Sequence, residues 1–217
     1  MKKFLLSLGL GWMVLSTHDQ LKEPWYKGQV VLTTGEHLEG EIIFAADVEV
    51  VSLKMSNGTL KAFNASQVES FVFWDNRQNF NRRFKTSVLP DSKREEIVEV
   101  VFDGPLEVLR SIKYSKNNRG RQFYNFFPEE RVDHNAYRYY VHNGLYQSTM
   151  EEFLRKSFHQ KTILWRNQLE VFRARNGLDN STESWLRLFE FFNALEEERI
   201  LRQLPFEKGE QTELVML

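Results

Sequence analysis

The chain has 217 residues, 41% of them hydrophobic, with 29 basic and 30 acidic side chains and no cysteine. That apolar content excludes a disordered polymer, and the length allows one substantial core or two small ones. The formal charge of −1 carries no nucleic-acid signature, and the lack of thiols excludes disulfides, a lipid-bearing cysteine and cysteine-ligated zinc.

At the N-terminus Lys2 and Lys3 precede an uncharged, mostly apolar run over residues 4–14, and Val14 and Ser16 place small residues at the spacing a signal peptidase reads. Residues 1–16 are therefore expected to be a signal peptide, and the mature product to be exported, periplasmic or extracellular after cleavage. The competing membrane anchor is too short, because a spanning helix needs about 20 apolar residues. Cleavage removes two bases and no acid, which moves the formal charge from −1 to −3. No other stretch is long and apolar enough to predict a stable membrane span.

Residues 28–75 alternate with period two between turn signals, the pattern of short, half-buried antiparallel strands. Strands are expected at 29–32, 38–44, 48–55, 59–63 and 68–74. Gly40 marks a bend in the second, and Asn57-Gly58 a type I′ turn between the third and fourth. Which side of the third strand faces the core is ambiguous, since Val48 and Val50 lie on one side and Val51, Leu53 and Met55 on the other.

Five short strands with a bent second strand and a tight turn before the fifth resemble the SH3-like small barrels, above all the Sm-like arrangement. The resemblance rests on Val30-Val31-Leu32, Glu39-Gly40-Glu41-Ile42, Leu60-Lys61-Ala62-Phe63 and Val68-Glu69-Ser70-Phe71. It implies a small β-barrel over 25–75. The stretch Ala46-Asp47-Val48-Glu49 and the loop Asn64-Ala65-Ser66 depart from the RNA-binding Sm pattern, so an RNA function is not carried over. With the export signal and a helical tail, the chain also resembles a group of uncharacterised exported bacterial proteins, which implies a fold and an address but no activity.

Residues 76–147 read as a β-rich extension. Residues 76–86 are polar and basic and fit a loop or an edge strand; hairpins are expected at 97–109 around Asp103-Gly104 and at 137–146 around Asn143-Gly144; a long basic and aromatic loop covers 113–128. At Ser148 the period changes. Ser148-x-x-Glu151 and Thr149-x-x-Glu152 both fit a capping box, and an apolar stripe from Met150 to Phe172 allows one long helix or two before Asn176-Gly177. A further helix begins at 179–181 with Trp185, Leu188, Phe189, Phe192 and Leu195 on one face. The helical hairpin is expected over 148–205 and a loose tail over 206–217, which makes the fold class α+β.

Candidate chemistry is sparse. The five histidines lack ligand spacing; Asp133, His134 and His142 would form a site only if the ends of the 137–146 hairpin met. No nucleophile motif and no phosphate-binding glycine loop is present, and adjacent carboxylates such as Glu95 and Glu96 point to opposite strand faces. Catalytic, cofactor and metal residues are therefore none. Two surfaces remain as contacts for a partner or an anion: the basic-aromatic run containing Arg82, Arg83, Arg119 and Arg121, and the tyrosine hairpin with Tyr139 and Tyr146. The expected function is a secreted or periplasmic non-catalytic binding or interaction module, with an envelope hydrolase or an oligomerising structural subunit as alternatives. Expected partners are an envelope protein or an anionic polymer, with self-association open and no nucleic acid.

Overall fold

The computed structural model describes residues 25–76, 79–113 and 134–203. The segments expected to be a signal peptide and a loose tail, and Arg119, Arg121 and Asp133, lie outside the described residues.

Ten strands form one antiparallel sheet: β1 Tyr26–Leu32, β2 His37–Ala45, β3 Val50–Lys54, β4 Leu60–Asn64, β5 Val68–Asp75, β6 Phe80–Val88, β7 Glu95–Phe102, β8 Glu107–Ile112, β9 Tyr137–His142 and β10 Gln147–Thr149. Their spatial order is β10-β9-β8-β7-β6-β5-β1-β2-β3-β4, so β1 is inserted between β5 and β2. All five strands expected over 25–75 are present, and a 3-10 turn at Ala65–Gln67 leads from β4 into β5. The sheet they belong to is open, because β5 continues through β6 into four further strands and β4 stands at the far end.

Gly28 and Gly40 face each other across β1 and β2. A Cβ on Gly28 would sit 2.2 Å from the Val72 carbonyl oxygen, and one on Gly40 would sit 2.4 Å from that of Lys54. Only glycine lets the backbones approach so closely where the sheet curls. The third strand begins at Val50 instead of residue 48, since residues 46–49 form a turn with Glu49 at φ 54°; Val51 and Leu53 then face inward, which resolves the ambiguous register.

Residues 80–88 are neither loop nor edge. β6 pairs with β5 on one side and β7 on the other. The two expected hairpins form as β7 with β8 and β9 with β10. After β10 the apolar stripe that allowed one long helix or two is divided into α1 Met150–Lys156, α2 Phe158–Lys161, a 3-10 turn at Ile163–Trp165 and α3 Arg166–Arg175. Thr149 caps α1 by accepting from the Glu152 N–H. The breaks fall at Ser157 and Thr162, which leave helical geometry at φ −126° and −103°; the Ser157 hydroxyl meets that of Tyr146, and the Thr162 hydroxyl donates to the Phe158 carbonyl. Gly177, at φ 60°, ends α3, and α4 Thr182–Gln203 returns along it, so the helical hairpin is α3 and α4.

Two large apolar clusters result among the described residues, besides a smaller one of Leu89, Val98, Leu109 and Tyr140. One gathers Val30, Ile42, Val51, Leu53, Val68, Phe71, Phe73 and Phe84 inside the curl of β1–β6. The other packs Val108, Ile112, Tyr137 and Val141 of β8 and β9 against Phe153, Leu188, Phe189 and Phe192 of the helices. Phe44 of β2 touches both.

Candidate binding groove and the charged stripe beneath it

Cross-strand partners share a face of a sheet. Phe73 lies opposite Arg82, Phe84 opposite Glu99, Glu99 opposite Arg110, and Arg110 opposite Tyr139. Alternation therefore sends Arg82, Glu99 and Arg110 inward, toward the seam between the two clusters. Arg82 donates to both Glu99 oxygens, from Nε at 2.9 Å and from Nη2 at 2.8 Å, and Arg110 Nε donates to Oε2 at 2.7 Å. Asp75 approaches Arg82 at 3.9 Å, and the Arg110 guanidinium lies 4.6 Å from the Tyr137 ring centre. Burial pushes the Glu99 carboxyl up, but Arg110 and then Arg82 outweigh burial and hold it at about 2. At the edge of this stripe the Tyr139 hydroxyl meets His134 Nδ1 at 2.7 Å. Burial raises the Tyr139 pKa against the opposing pull of Arg110.

Above that end of the stripe lies an open groove of about 290 Å³. Its walls include Lys113 at the end of β8, His134 in a 3-10 turn at His134–Ala136, Arg138 and Tyr139 on β9, Asp91 in the β6–β7 connection and Glu151 in the first turn of α1. Asp91 accepts from Arg138 at 2.9 Å and from the Tyr140 hydroxyl at 3.0 Å. Burial pushes the Tyr140 hydroxyl up to about 12. A second cavity of about 20 Å³ lies at the seam beside Phe44, Glu99, Arg110 and Ser111, with room for about one water molecule.

The residues singled out in the sequence do not share one surface. Arg82 is 3% exposed and held by Glu99, which corrects its expected place on a basic surface: β6 is an interior strand whose alternation points position 82 inward. Arg83 points the other way and pairs with Asp103 at 2.8 Å. Tyr139 is buried in the stripe, whereas Tyr146 is exposed beside Ser157. His134 and His142 lie at opposite ends of β9, six residues at about 3.3 Å each, so the hairpin does not bring them together. Among the described residues no group of three His, Asp or Glu side chains is placed to hold a metal ion, and no helix is long and apolar enough to cross a membrane.

The roles of Asp91, Lys113, Glu99 and Arg110 escaped the sequence. One signal existed for Glu99, a lone charge in the centre of the apolar run Ile97-Val98-Glu99-Val100-Val101. The chain matches no protein family, no curated protein and no solved structure.

Proposed function

We propose that this chain is a non-catalytic binding or interaction module that works outside the cytoplasm and takes its ligand in the groove beside β9. The observation that carries this reading is the convergence of donors and acceptors of both signs, from Lys113, His134, Arg138, Asp91 and Glu151, on one concave space of about 290 Å³. A binding role fits the way the stripe uses its charges. Glu99 is occupied by two arginines, and the Tyr139 hydroxyl holds its proton more tightly than a free tyrosine, so neither group is poised as a nucleophile or base at neutral pH. Export rests on Lys2, Lys3 and the apolar run over 4–14. The arrangement of β1–β5, with β1 between β5 and β2 and a 3-10 turn before β5, supports reading 25–75 as an opened SH3-like unit extended by β6.

Thermal unfolding of the protein with a panel of cell-wall glycan fragments and short peptides tests the groove. A ligand that raises the midpoint of the parent and fails to raise that of Lys113→Ala with His134→Ala supports it. A ligand whose effect survives both substitutions places binding elsewhere. For the address, intact-mass analysis of protein expressed with its native start should find an extracytoplasmic product shortened near residues 16–20.

A further inference from the structure

The connection from α1 to α3 carries a surface that the groove does not use. Thr162 turns inward, 4% exposed, and Phe158 and Trp165 pack on the helical core. The two residues between Thr162 and Trp165 are thereby forced outward, and Ile163 and Leu164 are 59% and 70% exposed. The turn after β9 is tied to the same segment, because Lys161 Nζ donates to the Asn143 carbonyl at 3.1 Å and the Tyr146 hydroxyl contacts Ser157. That turn presents Leu145 at 88% exposure and Tyr146 at 48%. Single exposed apolar side chains are ordinary, but two adjacent ones beside a turn bearing a leucine and an amphipathic tyrosine are not scattered.

Along the segment itself the charge has one sign, although Trp165 Nε1 donates to the buried Glu196 at 2.8 Å. Between Glu152 and Glu170 the chain carries Arg155, Lys156, Lys161 and Arg166 and no acid. Lys156 and Arg166 reach back to those bounding glutamates in exposed i,i+4 pairs, which are weak and readily exchanged for another anion. Apolar tips ringed by bases are the pattern of surfaces that lie on a bilayer, where the tips enter the acyl boundary and the bases meet headgroups. A soluble anionic polymer would engage the bases and leave the leucines in water.

We propose that the exposed side chains of Leu145, Ile163 and Leu164, set in the acid-free basic segment between Glu152 and Glu170, dock this protein on an anionic lipid surface. Because the chain has no cysteine, a single Leu164→Cys carries an environment-sensitive fluorophore at one defined place. On adding vesicles of phosphatidylglycerol and phosphatidylcholine, the label at 164 should shift to the blue, while a label on Leu60→Cys, equally exposed at the far sheet edge, should not. Vesicles of phosphatidylcholine alone should leave both unchanged. Arg155→Gln with Arg166→Gln should weaken the 164 response by about fivefold per charge removed at low salt. No shift at 164, equal shifts at both positions, a shift that does not need the anionic lipid, or one indifferent to the two arginine substitutions would each overturn the proposal. Retention on heparin without a shift at 164 would overturn it too, by assigning the bases to a polymer.

Discussion

Replacing Glu99 with alanine removes the carboxylate that both Arg82 and Arg110 address, and leaves two guanidinium groups, 3% and 13% exposed, at the seam between the apolar clusters. The displacement of the Glu99 carboxyl from 4.5 to about 2 corresponds to about 3 kcal/mol of preference for the charged form, at about 1.4 kcal/mol for each pH unit. Truncating one partner of a buried ion pair costs about 3–5 kcal/mol in general, much of it the penalty of the stranded charge. Arg82 keeps Asp75 at 3.9 Å and Arg110 keeps the Tyr137 ring, so the lower half of that range, about 3–4 kcal/mol, is expected. Urea unfolding read by tryptophan fluorescence measures the loss as a lower midpoint with an unchanged slope. The sign with pH is fixed: a carboxyl depressed by folding stabilises fully above its unfolded value near 4.5 and loses that contribution as pH falls toward 2. Glu99→Gln should therefore flatten the acid limb of the stability curve in that window. Asp75→Asn with Arg82→Met, Glu99→Leu and Arg110→Met should recover most of the loss, since replacing the whole set, the buried Asp75 partner of Arg82 included, leaves no charge stranded. A loss below about 1 kcal/mol for Glu99→Ala, or a fourfold variant as unstable as the single one, would refute the assignment of the stripe as a buried, mutually dependent set.

Gly40→Val should lower the urea midpoint more than Gly58→Val, because a Cβ at 40 meets the Lys54 carbonyl at 2.4 Å while at 58, φ 81°, it meets open space and costs only about 1–2 kcal/mol of backbone strain. Equal midpoints would place the bend elsewhere. Asn193 of α4 accepts from the Leu106 N–H at 2.8 Å and donates to its carbonyl at 2.7 Å, so Asn193→Ala should cost about 1–3 kcal/mol by thermal unfolding; a neutral result would detach α4 from the β7–β8 turn.

The strands and turns were legible because their determinants are local. Period two over 28–75, Asn57-Gly58 and Asn143-Gly144 each act within a few residues, and the structure places strands and turns there, although the first turn is not the type I′ expected, since Gly58 has positive φ and Asn57 does not. The strand order was not legible, since β1 meets β5 through pairings about forty residues apart that no window of sequence contains, and the open sheet follows from β6 taking the other side of β5. Arg82 was misplaced for a related reason. The alternation Phe80-x-Arg82-x-Phe84 puts Arg82 on the face of Phe84, but its burial depends on Glu99 and Arg110, which arrive from two later strands. The helical stripe from Met150 to Phe172 was legible as apolar spacing, whereas its breaks fall at Ser157, beside the hydroxyl of Tyr146 from the preceding turn, and at Thr162, which bonds back to Phe158. The groove draws on the β6–β7 connection, the ends of β8 and β9, and α1, so its tyrosines and His134 stood out beforehand but not their convergence with Asp91, Arg138 and Glu151.

The insertion of β1 between β2 and β5 also sets an order of events in time. As the chain emerges or refolds, β1 can zip to β2 at once across a four-residue link, yet its other edge has no partner until Val68–Asp75 exists and swings back. Closing that long stretch is the slow, entropically uphill step, while β5 to β8 can grow by successive hairpins. During the interval Val30 and its neighbours offer an unprotected apolar strand to any other molecule, so the N-terminal curl is where self-capture competes with aggregation, and holding the chain unfolded until β5 is available favours the native outcome.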